Sequence, residues 1–251
     1  MNSFISWVGG KKLLRDKILA EFPEEKSFGR YIEVFGGAGW ILFAKDKHAA
    51  LEVYNDKNGE LSNLFRCVKY HPEALQKELE WTLISREMFE NSLNRSDDGM
   101  TDIQRAARYF LIIKESYGSK MGTFIGWPKN IKKAIEYIAE VSERLQRTVI
   151  ENKGYEYIIK RYDAKDALFY LDPPYYDAES YYGEEFEQDD HKSLAELLHG
   201  VKGKFILSYN DNDVIREMYK DFNIIGIDRS NNLAVRYARG SRYKEIIVKN
   251  Y

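Results

Sequence analysis

Cysteine is nearly absent from this 251-residue chain, where Cys67 stands alone. An internal disulfide and a cysteine-rich metal site are thereby excluded, and a reducing cytoplasmic compartment is expected. The four histidines, His48, His71, His191 and His199, lack metal-ligand spacing. They read as scattered surface or helix-end residues, so no metal is expected. No apolar run is long enough to span a membrane and no basic-then-apolar leader follows Met1, so no membrane partner is expected. Neither charge sign is in excess: 38 Lys and Arg against 40 Asp and Glu leave −2. That balance does not announce a nucleic-acid binder, although a chain average hides local patches. Repeats and low-complexity tracts are absent too. What is there, 44% hydrophobic and 31% charged residues, is an ordinary globular composition. The length suits one large α/β domain or a domain carrying an insert.

Proline is also scarce, yet two of the five prolines adjoin in Leu171-Asp172-Pro173-Pro174-Tyr175. The apolar run Ala167 to Leu171 before them reads as a short buried strand. Neither proline can donate to a ladder, so the strand must stop there. Asp172 and Pro173 are therefore held extended at a strand's carboxyl end, the edge where open α/β sheets bind ligands. Alone, the stretch reads equally well as a strand ending in a turn.

Near the start, Trp7-Val8-Gly9-Gly10-Lys11-Lys12 reads as a glycine turn feeding a helix with Leu13, Leu14, Ile18 and Leu19 on one face. Such a start can face an anion beside Lys11, though a plain surface turn also fits. Tyr31 to Phe35 reads as a strand running into Gly36-Gly37-Ala38-Gly39 and then a helix, Trp40 to Ala44. Strand, glycine turn and helix open many nucleotide-binding sheets, but the last glycine of the dinucleotide fingerprint is missing. The next strand, Leu51 to Tyr54, ends at Asn55-Asp56. Asp56 stands about twenty residues past the glycines, where an acid can reach ribose hydroxyls. It could equally cap a helix over Asn58 to Val68.

From Leu61 to Gln146 helical periodicity dominates, with helices expected over Leu61–Tyr70, Pro72–Leu93, Ile103–Ser116 and Lys132–Leu145. A βαβ domain does not need so many helices between its second and third strands, so this reads as an insert. Its centre is basic and aromatic, with Arg105, Arg108, Tyr109, Lys114, Tyr117, Lys120, Trp127 and Lys129. Gly118, Gly122, Gly126 and Pro128 make part of it a loop suited to phosphate contact and base-edge probing. Strands resume at Arg147–Glu151 and Ala167–Leu171, followed by Lys204–Tyr209, Phe222–Ile227 and Tyr243–Lys249. An acidic segment from Asp177 to Asp190, interleaved with aromatics, reads as a lid or a solvated loop. A second basic patch, with Arg229, Arg236, Arg239 and Arg242, lies between the last two strands.

A glycine loop, an acid on the next strand and Asp-Pro-Pro-Tyr on a later one converge on one sheet edge. In this order, with Trp7-Val8-Gly9-Gly10-Lys11 first and Lys244-Glu245-Ile246-Ile247-Val248-Lys249-Asn250-Tyr251 last, the chain resembles the D12 class of DNA adenine-N6 methyltransferases over nearly its whole length. The resemblance implies an α/β fold: a Rossmann-like methyltransferase sheet, mostly parallel with its last strand antiparallel, plus a helical target-recognition insert. Residues 1–60 and 147–251 would form the catalytic domain and residues 61–146 the DNA insert. It implies S-adenosylmethionine as cofactor and double-stranded DNA as partner of a monomeric protein. Phe35, Gly36, Gly37 and Ala38 would pass under the cofactor and Asp56 would bind its ribose. Trp7, Gly10 and Lys11 would line the pocket. Asp172 would face both cofactor and target base, with Pro173, Pro174 and Tyr175 completing the catalytic motif. Lys114, Lys120, Lys129, Arg236 and Arg239 would contact DNA. Where the family usually has Asp-Phe after the third strand, this chain reads Gly154-Tyr155; Tyr155 can still stack on the cofactor's ring, but a polar contact is lost.

The residues support this chemistry directly. Adenine's amine is a poor nucleophile, and acceptors aimed at its hydrogens stabilise the positive charge that grows on it. The Asp172 carboxylate and the Pro173 carbonyl are such acceptors, and Tyr175 can stack on an extruded base. Rival substrates are RNA adenine, cytosine N4 and a protein glutamine, for which related enzymes usually carry Asn at the Asp172 position. A dinucleotide-dependent oxidoreductase has no use for Asp-Pro-Pro-Tyr, and intact cofactor elements argue against a silent DNA-binding module.

Overall fold

The structure is a computed structural model that describes residues 1–119, 121–126, 131–177, 186–230 and 242–251. Among these, seven strands form one sheet: β1 (Arg30–Glu33), β2 (Leu51–Asn55), β3 (Thr148–Glu151), β4 (Ala167–Leu171), β5 (Lys204–Asn210), β6 (Asn223–Ser230) and β7 (Arg242–Lys249). Their order is β3-β2-β1-β4-β5-β7-β6. Strands β1 to β5 pair in parallel, and β7 lies antiparallel between β5 and β6. This is the α/β sheet expected, mostly parallel with its last strand reversed.

Central position explains why β4 reads as an unbroken apolar run. Both its faces are covered, and all five of its residues are buried. Glu33 of β1 lies opposite Tyr54 of β2 and Tyr170 of β4, while Leu171 lies opposite Leu207 of β5. The carboxyl ends of four strands therefore meet on one edge.

The chain also forms nine described α-helices: α1 (Arg15–Ala20), α2 (Gly59–Tyr70), α3 (Pro72–Glu80), α4 (Arg86–Asn94), α5 (Asp102–Glu115), α6 (Ile131–Leu145), α7 (Tyr155–Tyr162), α8 (Gln188–His199) and α9 (Asp213–Met218). One face of the sheet, with Tyr31, Tyr54, Leu168 and Ile206, packs with the buried residues of α1, α2, α3, α5 and α6. The other, with Ile32, Phe169, Leu207 and Val248, packs against α7, α8 and α9. Alternation along each strand divides its residues between these two cores. None of the described helices is long and apolar enough to cross a membrane.

Three local expectations change. The helix expected over Trp40–Ala44 is only a 3₁₀ turn, Leu42–Ala44, because Lys45 turns extended to carry the chain toward β2. The helix expected over Pro72–Leu93 is two, α3 and α4. Ser85 starts the second by accepting the Met88 amide at 3.1 Å. Two histidines are not on the surface: His48 is 7% exposed and His191 fully buried. His48 stacks on Tyr31 with centroids 4.3 Å apart, and its Nε2 meets the Ile41 carbonyl at 2.8 Å. Ring stacking and a backbone partner make burial of a neutral imidazole tolerable.

Candidate active site

A cavity of about 590 Å³ opens on the carboxyl edge of the sheet, within the usual size of small-molecule sites. Its floor is the Gly36-Gly37-Ala38 backbone. Strand β2 moulds that loop from below. The Tyr54 hydroxyl donates to the Gly37 carbonyl at 2.7 Å, and the Gly37 amide donates to Asp56 Oδ2 at 2.8 Å. A Cβ on Gly36 would lie 2.2 Å from the Tyr54 ring, and Gly37 has φ +48° with Trp7 against it. Glycine is required at both positions, for close approach at the first and for a left-handed turn at the second.

Asp56 closes this loop rather than capping α2. Its Oδ1 accepts the Asn58 amide at 2.8 Å, and Asn58 itself accepts Leu61 N–H as the N-cap. Burial pushes the Asp56 carboxyl upward, with the two amide hydrogen bonds pulling it back. Each oxygen keeps a further lone pair, and the residue remains on the cavity wall.

Asp172 and Lys11 face each other across the opposite wall. Lys11 Nζ lies 2.7 Å from Asp172 Oδ1 and donates to the Gly9 carbonyl at 2.8 Å, with the lysine side chain only 4% exposed. The turn from Trp7 to Gly10 thus delivers the lysine inward instead of starting a long helix. Ser208 of β5 donates to the same Oδ1 at 2.9 Å. Among the described residues no donor meets Oδ2, and the side chain is 18% exposed. Burial raises the Asp172 pKa; the Lys11 charge and hydrogen bond and the Ser208 hydroxyl oppose it.

Trp7, Gly10, Lys11, Phe35, Gly36, Gly37, Ala38, Asp56, Asp172, Pro173 and Pro174 all line this one cavity. Two residues expected at the site lie outside its wall. Tyr155 sits behind Phe35, stacked at 5.9 Å, and its place beside the cavity is taken by Phe35 and Phe186. Tyr175 lies beyond the Lys11–Asp172 pair, its ring centroid 4.7 Å from Lys11 Nζ. Lys114 projects from α5 with Nζ 5.3 Å from the Phe110 ring centroid. Lys120, Lys129, Arg236 and Arg239, together with residues 178–185 of the acidic segment, lie outside the described residues.

Arg105 and Arg108 are not the open cations that the insert's basic window suggested. Arg105 pairs with Glu60 and Asp102, and Arg108 with Asp97. Two of these acids come from outside the window, so linear charge counting missed them.

Sequence reading also passed over Glu33, a buried acid on the cavity wall at the end of β1. Burial, helped by the nearby Asp172 charge, raises its pKa to about 8, although the Tyr31 hydroxyl donates to it at 2.7 Å. A lone acid in the apolar run Tyr31–Phe35 was the available signal.

A cavity at this edge of a doubly covered α/β sheet, with a glycine floor and the acids Asp56 and Asp172 on its walls, stands where such sheets take nucleotide-type ligands. Comparison with known proteins narrows that class. Residues 7–233 match the family described as D12 class N6 adenine-specific DNA methyltransferase, and the chain belongs to it. The Type II methyltransferase M1.LlaDCHI of Lactococcus lactis subsp. cremoris is 30% identical over 286 residues, covering 100% of this chain and 96% of the relative. The retron Ec67 DNA adenine methylase of Escherichia coli is 24% identical, covering 99% and 91%. A DNA adenine methylase of Vibrio cholerae is likewise 24% identical, covering 91% and 89%. The protein is a site-specific, adenine-specific DNA methyltransferase.

Proposed function

We propose that the methyl donor is S-adenosylmethionine and that the acceptor is the N6 amine of an adenine extruded from duplex DNA. The observation that carries this reading is the single cavity joining the glycine loop and Asp56 to Asp172 of Asp-Pro-Pro-Tyr. The residues fit the donor. The glycine backbone offers a close floor, Asp56 offers acceptors for ribose hydroxyls, and Phe35 with Phe186 offers apolar ring surface. S-adenosylmethionine, when bound, supplies a methyl group already activated by its sulfonium.

The chain's own residues prepare the amine. Asp172 Oδ2 and the Pro173 carbonyl accept hydrogen bonds from it, and the two prolines hold both acceptors with little reorganisation. Lys11 offsets the burial that would otherwise favour a protonated Asp172, a poorer acceptor. Tyr175 stacks on the extruded base. Lys114, Lys120, Lys129, Arg236 and Arg239 contact DNA from the insert, residues 61–146, and from the β6–β7 connection. The buried free thiol of Cys67 supports a reducing, cytoplasmic setting.

The test is transfer of label from S-adenosylmethionine to adenine-containing duplex DNA. Asp172→Ala is expected to cut transfer by at least about a hundredfold with the melting transition intact. Full activity in that variant would overturn the catalytic assignment, and label appearing only on RNA or protein would overturn the acceptor.

A further inference from the structure

Strand β7 carries an acid where its alternation calls for core. Glu245 shares a strand face with Ile247, and it is 3% exposed. A carboxylate so buried is costly unless it is hydrogen-bonded. Tyr175 supplies one such bond: the phenol donates to Glu245 Oε2 at 2.6 Å. Directly across the β5–β7 pair stands Asn210. It clamps the next residue by both ends of its amide, accepting Tyr176 N–H at 3.1 Å and donating to Tyr176 C=O at 3.0 Å. Ser208, one pleat earlier, holds Asp172. The prolines between cannot donate hydrogen bonds of their own. The segment from Asp172 to Tyr176 is therefore fastened at its acid, at its last peptide and at the far end of the Tyr175 ring.

We infer that Glu245 is the positioning residue for Tyr175, fixing the tilt of its ring beside the Lys11–Asp172 pair for the extruded base. This rests on the assignment of Tyr175 to the target base made above. Glu245 is not on the cavity wall and acts on the base through the phenol, while its charge adds to the burial that raises the Asp172 carboxyl. A ring anchored at both ends is preorganised, so losing the anchor slows turnover without weakening donor binding.

The experiment compares Glu245→Ala, Glu245→Gln, Tyr175→Phe and the double variant Glu245→Ala/Tyr175→Phe. Each is measured for kcat on duplex DNA, donor Kd and melting temperature. Glu245→Ala and Tyr175→Phe are each expected to lower kcat about 10- to 100-fold, the usual range for one charge-assisted hydrogen bond, with donor Kd within about threefold of the parent. The double variant falls no further than the worse single one, because both remove the same contact. Glu245→Gln restores most turnover, since its amide oxygen still accepts the phenol. Parental kcat in Glu245→Ala, or losses that multiply in the double variant, would overturn the inference. Should Glu245→Ala not fold, Tyr175→Phe decides alone: parental turnover there overturns it equally. Tyr175→Ala separates the two levels. Full activity in that variant removes the target-base assignment itself, whereas lost activity beside an intact Glu245→Ala removes only the role of Glu245.

Discussion

Glu33 shows how one side chain beneath the site couples to pH. Its pKa of about 8, raised chiefly by burial, compares with 4.5 for a free glutamate. Between those values the folded chain holds a proton that the unfolded chain releases, so stability falls as pH rises. His48 works in the opposite sense: burial lowers it to about 4 from 6.5, so it favours folding as pH rises through that lower range. The two slopes oppose each other below about pH 6.5, and the Glu33 contribution persists from there to about 8. Glu33→Gln, which keeps an acceptor for Tyr31, is expected to flatten the fall in melting temperature between pH 6.5 and 8. Melting curves across that range check it; an unchanged slope would mean that Glu33 is already ionised.

At the scale of elements, the site depends on how helices of the insert are fastened to the sheet. Helix α6 ends in Arg144, which forks onto Glu52 of β2 at 2.8 and 2.9 Å, with both side chains at most 5% exposed. The same guanidinium donates to the carbonyls of Leu42 and Lys45, just past the glycine loop. One arginine thus ties the insert, the strand beneath the loop and the turn beyond it. Arg144→Ala leaves Glu52 buried without its charge partner, and is expected to destabilise the fold by about 3–5 kcal/mol in chemical denaturation. Arg144→Lys keeps the charge but not the fork and should recover only part of that loss.

For the whole molecule, the insert shares the core of one sheet face instead of forming a core of its own. If the insert engages DNA as proposed, this shared core would hold that DNA at a defined place relative to the cavity. Arg105 and Arg108 are committed to internal pairs, and the proposed phosphate contacts are Lys120 and Lys129. Replacing Lys120 and Lys129 together by alanine is expected to weaken binding to every duplex sequence alike. It should also reduce the slope of log K against log salt by about one per lost contact. Binding isotherms at several salt concentrations measure both, and unchanged isotherms would exclude these two lysines.

The sequence by itself determined where the strands lie, because alternation and apolar runs report local burial, and where the glycine loop and the Asp172-Pro173-Pro174 stop must fall, because backbone limits are local. It marked most of the cavity wall for the same reason. Helix α7 escaped it, since eight residues rich in aromatic and branched side chains carry little helical preference of their own. Only the tertiary structure decided that β7 enters between β5 and β6 and so brings Glu245 to Tyr175. It alone set Lys11 against Asp172, paired Arg105 and Arg108 with acids, and buried Glu33 deeply enough to raise its pKa. Each of these depends on groups far apart along the chain, whose meeting, and whose loss of water, no local pattern encodes.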